Sequence, residues 1–175
     1  EWGVGISAWG KGQTRIPLPV VKGSDTLARI GTIICIESIY PEVARDLVNN
    51  GSDVLCVITN DAWYNGTWGP EQHYDIARMR AIEQRRNIVR CANSGVSGII
   101  RSDGSEVPHP AIEPMTQGAV VVGVQRNTER TLYAIIGDPM PMLGFILTLL
   151  ALVAARIPFF LRNLPCRFTS IENTS

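Results

Sequence analysis

Gly31-Thr32-Ile33-Ile34-Cys35-Ile36-Glu37-Ser38-Ile39-Tyr40-Pro41-Glu42 reads as a buried strand, a sharp exit and the start of a helix. Ile30, Ile33, Ile34 and Ile36 form a β-branched apolar run, which suits a strand covered on both faces. Pro41 fits the first position of a helix, and Glu42 favours the positive end of its dipole. Val43, Ala44, Leu47 and Val48 recur at helical spacing, and Asn50-Gly51 is a stop signal. Cys35 therefore falls at the end of a core strand, close to a helix N-terminus, a place that activates a thiol and fixes its direction. The strand period puts Glu37 on the same face as Cys35. The competing reading is a buried core cysteine, a common fate for a free thiol.

Outward from this stretch the pattern is that of an α/β domain. Ile16 to Val21, interrupted by Pro17 and Pro19, predicts an edge strand at best. Lys22 to Asp25 turns the chain into the strand Leu27 to Cys35. Val54 to Ile58 predicts a second buried strand, ending in Thr59-Asn60-Asp61-Ala62-Trp63-Tyr64 and the turn dipeptide Asn65-Gly66. Gly69-Pro70 opens a helix to about Arg86. Asn87 to Ala92, Val96 to Arg101 and Ala119 to Val124 predict further strands, with a tight turn at Ser102 to Ser105. Strand and helix alternate and hairpins follow, so helices should pack on a sheet. Residues 1–13 read as a loop, whose Trp2 and Trp9 serve as a lid or pack down on the core.

Composition narrows the function classes. The 175 residues have zero formal net charge, which argues against electrostatic capture of nucleic acid. Cys35, Cys56, Cys91 and Cys166 form no C-x-x-C pair, and only His73 and His109 could join them, so neither a zinc site nor a disulfide framework is predicted. No residue pattern calls for a cofactor. The chain starts at Glu1 rather than Met, which predicts a piece of something longer. After Gly137 the composition changes. Pro139 to Ala155 is uncharged and apolar, 17 residues long, at the lower limit for a membrane span. Arg156, Arg162 and Arg167 follow, and the positive-inside rule then places the C-terminus in the cytoplasm and the α/β domain on the other side. The expected divisions are an α/β domain over 1–136, a transmembrane helix over 137–161 and a basic tail over 162–175.

The strand ends at Cys35 and at Asn60-Asp61 are expected to converge, because sites in open α/β sheets form beyond the carboxyl ends of strands. A thiol with carboxylates nearby suggests acyl transfer through a thioester, which needs a base and oxyanion donors. Glu37 is a candidate carboxylate. Asp61 is another, although capping a turn is its commoner role. Trp63 and Tyr64 line an apolar pocket or merely pack. His73 reads as a surface histidine near a helix start. Arg78, Arg80, Arg85 and Arg86 read as a solvated helix face with an Asp75–Arg78 pair, plus a buried pairing of Arg with Glu83.

These residues, taken in order, resemble the carbon–nitrogen hydrolase (nitrilase) superfamily, and within it the branch that acylates lipoproteins. Ile33-Ile34-Cys35-Ile36-Glu37 is similar to the segment around the family's nucleophilic Cys. Thr59 to Tyr64, Trp68-Gly69-Pro70, Gln72-His73, Ala77 to Glu83 and Arg90 to Val96 resemble the signatures that follow it. Arg130 to Tyr133 and Gly137-Asp138, leading into the apolar tract, resemble the exit to a last membrane helix. The resemblance implies the second half of an αββα sandwich with a Glu-Lys-Cys triad, followed by a C-terminal transmembrane helix. Cys35 would be the nucleophile and Glu37 a supporting carboxylate. The base Glu and the Lys precede this segment in the family, so Glu1, Lys11 and Lys22 are not their counterparts. Many members carry Tyr where this chain has Ile36, which leaves only that position's backbone N–H for the oxyanion. Asn60, Trp63 and Tyr64 would contact substrate.

The implied reaction has two steps: a phospholipid acylates Cys35, and the α-amino group of a lipoprotein's diacylglyceryl-cysteine takes the chain. The implied location is the bacterial inner membrane, with several spans in the longer protein and the catalytic domain in the periplasm. Two alternatives stay open on the residues alone. One is a soluble amidase of the same superfamily, without the apolar tail. The other is a membrane-anchored binding module with a buried thiol.

Overall fold

The computed structural model describes residue 12 and residues 14–64, 66–107 and 112–162, with the backbone alone beyond Arg156. Trp2 and Trp9 lie outside the described residues. The chain divides into two compact units, Glu1–Gly137 and Asp138–Ser175.

The first unit is built on a five-stranded sheet in the order β1-β2-β3-β4-β5. The strands are β1 (Leu18–Lys22), β2 (Asp25–Ile34), β3 (Val54–Asn60), β4 (Ile88–Asn93) and β5 (Gly98–Ile100). β2, β3 and β4 run parallel, while β1 and β5 flank them antiparallel. Parallel neighbours need crossovers, supplied by α1 (Pro41–Asn49) and α2 (Gly69–Gln84). The expected edge strand is β1, which carries a register shift between Val20 and Val21.

One face of the sheet holds the core. Ile33, Leu55, Val57, Ile88 and Ile100 pack with Val43, Ala44, Leu47 and Val48 of α1 and with Ala77 and Ala81 of α2. The other face is bare: Ile34 is 61% exposed and Ile58 50%. This corrects the expectation of a strand covered on both faces, because both helices pack on the same side. β2 also stops one residue earlier than expected. Cys35 takes φ 50°, and Cys35–Ile39 coils into a 3-10 turn. Glu37 is therefore not related to Cys35 by a strand period.

α2 ends at Gln84 because Arg85 adopts a left-handed cap, φ 48°, donating its backbone N–H to the carbonyls of Ala81 and Ile82. Arg86 is then turned inward and is 2% exposed, not solvated as the charge pattern suggested. Its Nε donates to Ser52 O (2.8 Å), and its Nη1 donates to Gln84 O (3.1 Å) and Glu129 O (2.5 Å). Burial pulls its pKa below the ordinary guanidinium range, opposed by Asp53 and Glu129. Ala119 to Val124 forms no strand. It lacks a ladder neighbour among the described residues, and Val121 is fully exposed. A short helix, α3 (Leu132–Ile136), closes the unit. Thr131 Oγ1 caps it by accepting from Ala134 N–H (2.9 Å) and donates to Glu83 O (2.7 Å).

The second unit contains α4 (Met140–Arg162), 23 residues long. Its apolar side chains are exposed, including Phe145 at 69% and Leu152 at 61%. Among the described residues, whose side chains in α4 end at Arg156, no helix is long and apolar enough to cross a membrane.

Candidate active site

The three parallel strands end at the same edge of the sheet, β3 and β4 level with each other and β2 two residues earlier. Ile34 pairs with Ile58, and Asn60 with Asn93, so the residues that follow emerge at one edge of the sheet. Cys35, Asp61 and Ser94 are those residues. Cys35 and Ser94 both have positive φ, 50° and 66°. A non-glycine residue held there carries about 1–3 kcal/mol of strain, which surrounding contacts must over-determine. Cys35 is half-buried, as is Cys56.

Two groups hold the Cys35 turn from inside the chain. Glu37 Oε2 accepts the backbone N–H of Ile34 (2.9 Å), so its carboxylate braces the strand exit. Ser38 Oγ lies 3.1 Å from the carbonyl oxygen of Cys35. Ser38 is fully buried, and behind it runs a polar cluster that the charge pattern does not reveal. Ser38 Oγ is 2.7 Å from His73 Nε2, which is also 3.2 Å from Cys35 O. His73 Nδ1 is 2.8 Å from Asp61 Oδ1. Asp61 Oδ1 also accepts from Thr59 Oγ1 (2.8 Å), and its Oδ2 accepts from Arg90 Nη2 (2.6 Å).

His73, Asp61 and Arg90 are all nearly inaccessible, at 4%, 1% and 2% exposure. Burying charge is tolerable only when it is paired and hydrogen-bonded. Asp61 does this for Arg90, whose pKa is pulled down by burial and raised by Asp61 and by Cys35. Tyr74, whose ring lies near the Arg90 guanidinium, has its pKa pushed up to about 12, chiefly by burial and then by Glu106. Ser38, His73 and Asp61 have the linkage of a Ser-His-Asp triad, but a fully buried hydroxyl meets no substrate. The linkage ends against the Cys35 carbonyl.

The expected convergence of the two strand ends is thus present, through His73 as the bridge. His73 is not at the surface. It falls on the buried stripe of α2 with Tyr74, Ala77, Arg80, Ala81 and Gln84. That stripe mixes apolar and polar residues, so an apolar period alone does not expose it. Arg90 carried no signal beyond its place in the quoted signatures, and Ser38 none beyond its place in the stretch Gly31–Glu42. Of the helix arginines, Arg80 pairs with Glu83 (2.7 Å) and Arg78 with Asp75 (3.0 Å), as expected. Arg78 also pairs with Glu106.

The loop after β3 carries the remaining candidates. Asn60 Oδ1 accepts from Ala62 N–H (3.1 Å) and Asn93 Nδ2 (3.3 Å), bracing the loop. Trp63 is 80% exposed. Tyr64 is half-buried and edge-on to His73, with ring centroids 6.3 Å apart. Gly69 lies against the Tyr64 ring, where an added Cβ would approach Tyr64 Cβ to 2.6 Å. Gly95 lies equally tight against Asp61, so no larger residue fits there without moving the carboxylate. A hollow of about 330 Å³ opens elsewhere, beside Asn87 and Arg101, and a smaller one of about 190 Å³ lies by Asp61, Thr67, Ser94 and Met115.

A half-exposed thiol in a left-handed turn at the ends of parallel strands is an arrangement for nucleophilic chemistry on an α/β scaffold. The family model for carbon–nitrogen hydrolases matches residues 4–137, and the chain belongs to that family. It is 42% identical over 93 residues to the apolipoprotein N-acyltransferase of Chlorobaculum tepidum, covering 53% of this chain and 17% of that one. It is also 42% identical over 101 residues to the protein of the same name from Geobacter metallireducens, covering 58% and 19%. The chain spans about a fifth of the length of these curated relatives. An amidase structure from Nesterenkonia sp. aligns with a TM-score of 0.45 and 18% identity over 60% of this chain and 40% of that one.

Proposed function

We propose that this chain is part of an N-acyltransferase that moves an acyl chain from a phospholipid, through a thioester on Cys35, to the N-terminal diacylglyceryl-cysteine of a lipoprotein. The observation that carries the reading is the half-exposed Cys35 in its braced left-handed turn, in a chain similar to the named acyltransferases. In the first step a base takes the thiol proton, and sulfur attacks the ester carbonyl. The tetrahedral adduct collapses, the C–O bond breaks, and the lysophospholipid leaves with the proton. In the second step the lipoprotein amine attacks the thioester, its proton passes to the base, the C–S bond breaks, and sulfur takes that proton to regenerate the thiol.

The base and the family's Lys lie upstream of these residues. Within this chain, the Ile36 backbone N–H faces the oxyanion, and Glu37 steadies the strand exit through Ile34. Trp63 and Tyr64 contact the acyl chain, with Asn60 holding their loop in shape. The second half of an αββα sandwich is the fitting fold class, because the sheet has helices on one face and apolar side chains bare on the other. No cofactor or metal enters these steps.

Residues 137–161 form a transmembrane helix, 162–175 a basic cytoplasmic tail, and 1–136 the C-terminal part of the hydrolase-like domain. The support is α4 itself: its side chains are apolar on every side, a character found in buried or membrane helices. The protein belongs in a bacterial inner membrane with the catalytic domain in the periplasm. The test is Cys35→Ala in the longer protein with a radiolabelled phospholipid donor. Acyl-enzyme should vanish, and retained transfer would exclude Cys35 as nucleophile. A wholly soluble, monodisperse chain without detergent would remove the span.

A further inference from the structure

We propose that His73 is a positioning residue for the nucleophile: clamped by Asp61, it holds the Ser38 hydroxyl, and through it the turn that keeps Cys35 in its left-handed conformation. The inference rests on Cys35 as the thiol that carries the acyl group. His73 touches no substrate, and its effect passes through the Cys35 backbone.

The geometry assigns the protons. Asp61 is ion-paired to Arg90 and offers only lone pairs, so His73 Nδ1 at 2.8 Å must carry a hydrogen and donate it. That bond fixes the orientation of the ring and points Nε2 at the turn. In the neutral ring Nε2 is then an acceptor for Ser38 Oγ–H (2.7 Å), with Cys35 O 3.2 Å away in contact. Ser38 on the 3-10 turn is thus tied to α2, 35 residues away. Local sequence does not favour φ 50° at a residue with a Cβ. A tether from a distant helix can hold it there through the chemical steps, when charge comes and goes on the sulfur.

Arg90 anchors the far end. It is fully desolvated at the side chain, as is Asp61, and its Nε donates to Val96 O (3.1 Å). Such a cluster is an expensive way to fill a core, since well-packed apolar residues of the same volume often serve stability as well or better. Its placement behind the turn that carries the half-buried thiol is what a positioning device requires. Tyr64 covers the ring edge-on from the loop that carries Trp63. Asp61 and the acyl contacts proposed above are therefore on one segment, residues 59–64.

The experiment uses the full-length enzyme with a phospholipid donor, and reads single-turnover acylation of Cys35, KM for the donor and the melting temperature. His73→Ala should slow acylation by about 100-fold, the scale of a misplaced reacting group, with KM within about threefold. His73→Gln and His73→Asn separate positioning from packing. The Gln amide reaches the Nε2 position and can accept from Ser38 Oγ, whereas the Asn amide reaches only the Nδ1 position. Gln should restore at least about tenfold of the lost rate over Asn, at matched melting temperatures. Equal rates in Gln and Asn, or unchanged acylation in a folded His73→Ala, would overturn the inference. If His73→Ala does not fold, the Gln–Asn comparison decides alone. Cys35→Ala run beside them keeps the two readings apart: transfer by that variant sinks the thioester reading, while full activity of the His73 variants beside a dead Cys35→Ala sinks only the positioning role.

Discussion

At the scale of single residues, the site is a matter of which polar groups are denied water. Asp61 is the hinge of the buried cluster, bonded to Thr59, His73 and Arg90 at once. Asp61→Asn keeps the shape and removes the charge, so it leaves Arg90 buried without its counter-ion. The expected cost is about 3–5 kcal/mol, the usual consequence of breaking one side of a buried pair. A shift in the denaturant midpoint of the folded enzyme measures it, and a change below about 1 kcal/mol would mean that the pair is solvated. Tyr74 makes a prediction in pH. Its pKa is raised to about 12 from the ordinary value near 10, so the folded state keeps a proton that the unfolded chain releases. That contribution is whole below pH 10 and is lost as pH rises toward 12. Tyr74→Phe should flatten the alkaline limb of the stability curve, and the 295 nm phenolate absorbance should locate the titration. These features were hard to read beforehand for a plain reason. Asp61 after a strand and His73 near a helix start look like ordinary turn and surface residues, and only the fold tells that they face each other.

At the scale of elements, legibility followed the purity of the hydrophobic pattern. β2, β3 and α1 were plain, because Ile33, Leu55, Val57 and the Val43-Ala44-Leu47-Val48 stripe contain nothing but apolar groups on the buried side. α2 was found by its Gly-Pro start, yet its buried side was not, since His73, Arg80 and Gln84 share it with alanines. Ala119 to Val124 failed for the opposite reason: an apolar run has the composition of a strand, but a strand also needs a neighbour to bond to. The short helix α3 shows how much one cap supports. Thr131 satisfies Ala134 N–H and reaches the carbonyl of Glu83, tying α3 to the end of α2. Thr131→Ala should therefore cost about 1 kcal/mol, the typical value of a lost N-cap. Hydrogen exchange should show it as a roughly fivefold faster loss of protection at the Ala134 amide, without change in the amides of β3.

At the scale of the whole molecule, the sheet presents one finished face and one unfinished one. Ile34 and Ile58 stand exposed on the side opposite α1 and α2, in line with a second layer supplied from outside these residues. The 175-residue chain alone should accordingly be poorly soluble and should form no acyl-enzyme from a phospholipid, although it holds the thiol. Co-expression with the upstream half should restore both, as read by size-exclusion profile and label incorporation. Robust transfer by the isolated chain would show that its own carboxylates and lysines suffice. The site as a whole was legible to the extent that its chemistry sits in a contiguous stretch: Cys35 and Glu37 could be found, while the support reaching them from Asp61, His73 and Arg90 spans three elements. Arg86 adds a constraint of a different kind, one of timing. Its guanidinium binds Ser52, Gln84 and, 43 residues later in the chain, Glu129. A ribosome making this protein releases the last of those partners well after the strands and helices that surround the cation. Until Glu129 emerges, Arg86 Nη1 has only the carbonyls of Gln84 and Arg85 to bond, so the last contact around this cation is made after its strands and helices have left the ribosome.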